Sequence, residues 1–152
     1  MLKSISHVFL IYLFSLLVAC GGIGESPLDS VREDGFQNIT PSLLSNKTFY
    51  YTYEDNGLTI FEKLTILDTD TLRIDAIIRD SLTGDSGLAG DFSYTLSKGN
   101  LIIPLEGNNQ TEFKLKEIHD DFWMVKMTSG DIGPLALILY FERPPSYPVD
   151  IQ

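Results

Sequence analysis

Few residues of this 152-residue chain are suited to covalent or acid–base chemistry, because it has one cysteine, Cys20, and two histidines, His7 and His119. Ser86 lies in a Gly-Asp-Ser-Gly tetrapeptide, a setting that suits a nucleophile, but a serine nucleophile needs a neighbouring histidine base. His7 falls in an apolar N-terminal segment, and His119 falls in a predicted turn. We interpret residues 80–90 as a flexible loop between strands. The sequence predicts no catalytic residue and no enzyme.

Aspartates are the next candidates, since their carboxylates are ligands for calcium. Asp68 and Asp70 form one group, and Asp80, Asp85 and Asp91 form another. Neither group has the twelve-residue loop spacing with a terminal glutamate. One histidine beyond the N-terminal segment and no spare thiol do not make a typical zinc site. Aspartates of this kind favour turns, and we predict no metal site and no cofactor.

Cys20 ends a segment that has the layout of an export signal. Lys3 precedes an apolar run over residues 8–18, which is shorter than the roughly 20 residues of a membrane-spanning helix. The tetrapeptide LVAC at residues 17–20 resembles the lipobox of bacterial lipoproteins. The resemblance implies that the Cys20 thiol is joined to diacylglycerol, that residues 1–19 are removed as a signal peptide, and that the new amino group is acylated. The alternative is a buried free cysteine at the end of a helix.

The residues after Cys20 suit a lipid-anchored protein. Residues 20–39 are polar and contain several glycines, which predicts a flexible tether. Burial of acyl chains contributes about 0.8 kcal/mol per CH₂, so two or three chains anchor a protein durably. Lipoproteins kept in the inner membrane often have aspartate after the cysteine, whereas Gly21 stands here. The resemblance therefore implies the periplasmic face of the outer membrane.

The charge of the chain bears on its partners. Removal of residues 1–19 takes away Lys3 and no acid, leaving ten basic residues against 21 acidic ones, a net charge of −11 with neutral histidine. Nucleic-acid binding requires clustered lysine and arginine, and the basic residues here are scattered. We predict no nucleic-acid partner. With Cys20 used for lipid, the fold must be stabilised by its core.

The part of the chain from residue 40 onward is dominated by alternation of apolar and polar residues. Leu72, Ile74, Ala76 and Ile78 alternate with polar neighbours, a pattern typical of half-buried strands. Similar runs are separated by turn-forming residues at 55–57, 68–70, 98–100, 107–109 and 119–121. The sequence predicts an all-β antiparallel meander of about eight strands, preceded by one short helical turn that starts at Thr40-Pro41.

This order of segments resembles small bacterial lipocalin-like domains. The segments that carry the resemblance are SLLSNKTFYYTYE, GDFSYTLSKGNLII, TEFKLKEIHDDFWMVKM and LILYFERP. Such domains open with a helical turn and a Gly-x-Trp-like first strand, and they end with an aromatic strand followed by arginine. Asn46 and Phe49 stand at the glycine and tryptophan positions here. The resemblance implies a small closed or partly open β-barrel over residues 40–145, with residues 146–152 as a C-terminal tail.

Two functions are compatible with such a domain, and they differ in what its interior does. In the first, the barrel is solid and non-catalytic, and it docks on another envelope protein. In the second, the interior holds a small apolar or amphipathic ligand. The aromatic candidates for that interior are Tyr51, Tyr53, Phe92, Tyr94 and Trp123. Small barrels fill their interiors with side chains, so we favour the first and retain ligand binding as the alternative. The segment at 122–128 is apolar on both faces, so the sequence does not predict whether the Trp123 side chain points into the barrel or out of it.

Overall fold

The computed structural model describes residue 32 and residues 34–130 and 132–148. Cys20, residues 1–19 and most of the predicted tether lie outside these residues, so export and lipidation stay predictions. Within the described ranges, no helix combines the length and the hydropathy needed to cross a bilayer.

Nine antiparallel strands and one helical turn make up the described fold. The elements, in chain order, are α1 (Pro41–Leu44), β1 (Thr48–Asp55), β2 (Leu58–Ile66), β3 (Thr71–Asp80), β4 (Gly84–Ser93), β5 (Thr95–Ser97), β6 (Asn100–Pro104), β7 (Gln110–Ile118), β8 (Phe122–Ser129) and β9 (Ile132–Tyr140). They form one sheet, in the order β4-β3-β2-β1-β9-β8-β7-β6-β5, that curls into a half-barrel. The predicted all-β meander is confirmed.

The strand count differs from the predicted eight because the chain between β3 and β6 is built differently. Residues 84–93, most of which we predicted as a flexible loop, pair with β3 along their whole length, from Asp80↔Gly84 to Thr71↔Ser93. This loop prediction was wrong. Tyr94 then separates β4 from β5, its amide donating to Asp70 O at 2.8 Å. Residues 92–97, in which apolar and polar residues alternate, are therefore divided between the two ends of the sheet.

Local signals in the sequence account for the first turns of the fold. Thr40 caps α1 by accepting a hydrogen bond from Leu43 N, and proline occupies the first turn, as predicted. Asn56 and Gly57 join β1 to β2 with φ values of 50° and 81°. Two positive φ values in a two-residue loop define the turn type that matches the twist of paired strands. The first hairpin is thus closed by the residues that the sequence predicts.

The core lies on the concave face of the sheet. Alternate residues of each strand point inward, so Phe49 and Tyr51 of β1 meet Phe113 and Leu115 of β7 in one buried cluster. Trp123 of β8 belongs to this cluster and is 2% exposed. The direction of Trp123 is therefore inward, while Phe122 and Met124 lie on the opposite face. The helical turn contributes Leu44 to the same cluster.

Residues 34–39, which the sequence assigns to the tether, lie against the sheet. Gln37 N donates to Leu115 O at 2.8 Å, and Ile39 N donates to Gly99 O at 2.9 Å. Ile39 is buried in the core. Gly99 has a φ of 74°, and a Cβ at this position would overlap the Asn38 side chain. Glycine is required there both by the turn and by this close approach.

The joint between the two halves of the sheet is short. The sheet consists of two meanders, β1–β4 and β5–β9, and they are joined by β1 and β9. The register between these two strands contains one residue pair, Tyr50↔Tyr140. Beyond that pair β1 and β9 separate, and the chain that follows β9 returns across the outer face near this joint. Tyr147 of that returning chain is buried against the rings of Tyr50 and Phe61, with centroids 5.4 and 5.5 Å away.

Candidate functional site

The five aromatic residues predicted for a barrel interior all lie in or against the one buried core cluster, where they form three groups. Tyr51 and Tyr53 are stacked on β1 with ring centroids 6.3 Å apart. Trp123 packs on Phe49, with centroids 4.9 Å apart. Tyr94 is buried directly after β4, where its hydroxyl donates to Asp68 O at 2.9 Å, and Phe92 is half-buried nearby on β4. Tyr51 and Tyr53 contact each other directly, while Trp123, Tyr94 and Phe92 lie in or against other parts of the same cluster.

The interior around Trp123 is filled by side chains. A cavity of about 10 Å³ remains between residues that include Phe49, Phe113, Trp123 and Leu139. That volume is at the lower limit for a single water molecule. Binding sites for small molecules occupy roughly 300–1,000 Å³. The space around Trp123 therefore does not accommodate a ligand.

A carboxylate lies on the concave face beside the two stacked tyrosines. Glu62 of β2 accepts hydrogen bonds from the Tyr51 hydroxyl and, at 3.0 Å, from the Tyr53 hydroxyl. Among the described residues no lysine or arginine forms an ion pair with Glu62. Burial raises the pKa of Glu62, and the two tyrosine hydrogen bonds oppose that effect. Burial and the neighbouring Glu62 also raise the pKa of both tyrosines, which keeps their hydroxyls protonated as donors.

The raised pKa of Glu62 predicts a pH dependence of stability. The native state binds this proton more tightly than the unfolded chain, so the contribution is fully present below the ordinary glutamate pKa and is lost as the pH rises through the raised value. In urea unfolding at a series of pH values from about 4 upward, Glu62→Gln is expected to remove this decline. The stability of Glu62→Gln relative to the wild type should therefore increase with pH.

The matched control for this prediction is Glu54→Gln, which changes an exposed residue of the adjacent strand β1. It should leave the pH dependence of the wild type in place. Parallel stability curves for the wild type and Glu62→Gln would show that the buried carboxyl does not have the raised pKa.

A second cavity lies at the joint where β1 and β9 separate. This cleft, here called the side cleft, has a volume of about 350 Å³. Its lining includes Tyr51 of β1, Phe61 of β2, Leu137 and Tyr140 of β9, and Ser146 and Tyr147 of the returning chain. None of the described residues that line it is charged. The side cleft has the size of a small-molecule site and a lining of rings and hydroxyls.

Tyr147 is the unusual residue of the side cleft. It is 5% exposed, and its hydroxyl has no hydrogen-bond partner among the described residues. Buried hydroxyls are normally paired, and an unpaired one costs about 1–3 kcal/mol. Burial raises the pKa of Tyr147, and the negative charges of Glu62 and Asp75 raise it further. The Tyr147 hydroxyl is thus neutral, and it is unsatisfied among the described residues.

The acidic groups considered for calcium have other partners. Asp68 accepts the amides of Asp70 and Thr71 in a turn, which lowers its pKa. Asp80 likewise accepts from the turn residues Leu82 and Thr83, and it too has a lowered pKa. No group of three metal-ligating side chains occurs among the described residues. Asp68 and Asp80 therefore stabilise the turns in which they lie.

Two further acids of that set and the two groups considered for catalysis lie on the surface. Asp85 pairs with Arg79 at 3.1 Å, and Asp91 pairs with Arg73 at 3.1 Å, both across the β3–β4 hairpin. His119 is exposed in the turn before β8, where its ring stacks on Phe122 with centroids 4.4 Å apart. Ser86 is exposed on β4 and has no histidine partner among the described residues.

Glu62 and Tyr147 were not among the predicted site residues. Glu62 had a detectable signal, because the concave face of β2 reads Ile60, Glu62, Leu64 and Ile66, with one acid in an apolar series. Tyr147 had no such signal. It lies in a proline-bearing segment after the last strand, and its burial depends on a long-range return of the chain.

Comparisons with models of protein families, with curated protein sequences and with solved structures found no match to this chain. Functional inference therefore rests on the sequence and on the geometry described above.

Proposed function

We propose that this chain is a lipid-anchored, non-catalytic protein of the bacterial cell envelope whose β domain docks on another envelope protein. Acyl chains on Cys20 would provide the membrane attachment, as the lipobox resemblance implies. Gly21 after the cysteine favours the periplasmic face of the outer membrane. The docking surface that we assign is the free edge of β4.

The observation that carries the docking proposal is the exposure of β4. Residues 84–89 are all exposed, and within the described part of the chain one edge of β4 pairs with no strand. Edge strands are usually protected by short length, charged side chains or proline. The opposite end of the sheet follows that rule, because β5 has three residues. β4 has ten residues and contains neither lysine nor proline, and its two charged residues, Asp85 and Asp91, are paired with arginines of β3.

The composition of β4 suits the addition of a strand from a partner. Gly84, Gly87 and Gly90 place little side-chain bulk along the edge, so a second backbone can approach closely. Leu88, which is 51% exposed, supplies an apolar contact beside that edge. Strand addition derives affinity from main-chain hydrogen bonds and specificity from alternate side chains. An extended segment of another envelope protein is thus the occupant that we propose.

The alternative, carriage of a ligand inside the barrel, has less support. The interior around Trp123 and Phe49 contains a cavity of about 10 Å³. A ligand there would have to displace close-packed aromatic side chains, which costs more than filling a preformed pocket.

The docking proposal is tested by photo-crosslinking from the full chain in its native envelope. A photoreactive residue at Ala89 on β4 is expected to give one discrete adduct with another protein. The same residue at Lys126, which is exposed on β8 between two paired neighbours, is expected to give none. Leu88→Lys should reduce the Ala89 adduct several-fold, because it places a charge beside the pairing edge.

The matched control is Leu82→Lys, the same change at the turn of the hairpin, where Leu82 is 92% exposed and outside the strand. It should leave the adduct intact. Equal labelling from positions 89 and 126, or an adduct made of two copies of this chain, would contradict the proposal.

A further inference from the structure

The side cleft has two independent features of a ligand site. Its volume of about 350 Å³ lies within the range of small-molecule pockets. The Tyr147 hydroxyl is buried there without a hydrogen-bond partner among the described residues. A bound molecule that displaces the side chains covering this oxygen would satisfy it with a polar group. The site is separate from the edge of β4 and does not depend on the docking proposal.

The charges around the side cleft favour a cationic ligand over an anionic one. The described lining of the side cleft contains no lysine or arginine, and the Arg79 guanidinium, which lies 5.2 Å from the centroid of the Phe61 ring, is already paired with Asp85. Glu62 lies directly behind the wall, bonded to the Tyr51 hydroxyl, and the chain as a whole carries an excess of acids. An anion would be repelled, and a cation would be attracted.

The rings of the lining suit a cation that carries apolar substituents. Tyr51, Phe61, Tyr140 and Tyr147 come from four different parts of the chain and meet at the side cleft. Aromatic rings attract cations, and groups of such rings recognise quaternary ammonium compounds in other proteins. A metal ion would instead require carboxylate or imidazole ligands, and these are absent from the described lining.

We propose that the side cleft binds a small organic cation of the alkylammonium class, with its substituents against Tyr51, Tyr140 and Tyr147. A hydroxyl or N–H group on the same molecule hydrogen-bonds to the Tyr147 hydroxyl. The open side of the cleft at Tyr140, which is 37% exposed, is the route of entry.

The test uses three probes of nearly the same shape and different charge. Choline is the cation, 3,3-dimethylbutan-1-ol is its neutral isostere, and 3,3-dimethylbutanoate is the anion. Each is titrated calorimetrically into the full chain in an uncharged detergent. Choline is expected to bind saturably at one-to-one stoichiometry and about tenfold more tightly than the neutral isostere. The anion is expected to bind more weakly than either.

Variants separate the aromatic wall from the hydrogen bond. Tyr147→Phe retains the ring and removes the hydroxyl, so it should weaken choline about fivefold and leave tetramethylammonium, which has no hydroxyl, unchanged. Tyr140→Ala should weaken both cations, and because Tyr140 is partly exposed it also serves as the variant that keeps the core intact. Tyr94→Phe is the matched control, since its hydroxyl bonds Asp68 O far from the side cleft.

The outcomes decide the proposal. Equal affinity for choline and its neutral isostere, preference for the anion, or no saturable binding would show that the side cleft is not a site for organic cations. Choline affinity that is indifferent to Tyr140→Ala would place any binding elsewhere. Retention of full choline affinity in Tyr147→Phe would overturn the assigned hydrogen bond.

Discussion

Replacement of Trp123 by alanine is expected to lower the free energy of unfolding by about 3–5 kcal/mol. Trp123 is 2% exposed, and its ring lies 4.9 Å from that of Phe49 and 6.0 Å from that of Phe141. The surrounding cavity of about 10 Å³ shows that the neighbours are already close-packed. They come from several strands held by separate hydrogen-bond ladders, so they relax little into the space that the indole leaves. Urea unfolding followed by circular dichroism measures the loss.

The matched control is Phe122→Ala, which removes the adjacent aromatic from the outer face of β8. Phe122 is half-buried beside His119 and Tyr140, so its loss should cost about 1 kcal/mol. Trp123 is the single tryptophan, and its fluorescence should be blue-shifted and unchanged by apolar probes. A cost for Trp123→Ala similar to that for Phe122→Ala, or saturable quenching by an apolar ligand, would indicate an open interior.

The predictions that the structure confirms depend on neighbouring residues in the chain. The alternation around Phe49 and Tyr51 identifies the inner face of β1, and Asn56-Gly57 closes its hairpin with the next strand. Thr40 and Pro41 start a helical turn for reasons confined to a few residues. Such features can be predicted from the sequence of a β protein because period-two alternation and turn formation depend on residues that are close together in the chain.

β4 was missed because its stability comes from its neighbour. Three glycines and two aspartates in residues 84–93 give a low β propensity, which favours a loop. Pairing with β3 overrides that preference, and the ion pairs Arg79–Asp85 and Arg73–Asp91 connect the two strands on one face. Neither the ladder nor the ion pairs can be inferred from the residues of β4 alone.

The candidate site likewise combines residues that the local sequence predicts with residues that it does not. Tyr51 and Tyr53 were both predicted for the barrel interior, and the structure places their hydroxyls on one carboxylate, Glu62. Tyr147 could not be predicted, because nothing local requires the chain after β9 to return to the joint at Tyr50. A site formed where a sheet separates depends on register between distant strands.

Cys20→Ser is expected to abolish acylation, which is the largest effect of any single substitution predicted for this chain. The lipobox resemblance implies a thioether to diacylglycerol, and serine has no thiol to form it. We expect the wild-type protein to begin at Cys20 and to carry acyl mass, and Cys20→Ser to carry none, whether it is exported or retained. Intact mass spectrometry of the protein extracted from membranes measures both properties. With about 0.8 kcal/mol lost per CH₂ no longer buried, the variant should also lose durable membrane attachment.

The matched control for the anchor is Gly21→Asp, which retains the thiol and changes the residue after it. It should carry the same acyl mass as the wild type, so any difference from Cys20→Ser reflects the thiol rather than a disturbed signal. Because aspartate at this position resembles the inner-membrane pattern, Gly21→Asp should fractionate with the inner membrane, whereas the wild type fractionates with the outer membrane. Wild-type protein that begins at Met1, or that has no acyl mass on Cys20, would overturn the lipoprotein proposal. Identical fractionation of the wild type and Gly21→Asp would overturn the assignment to the outer membrane and leave the anchor intact.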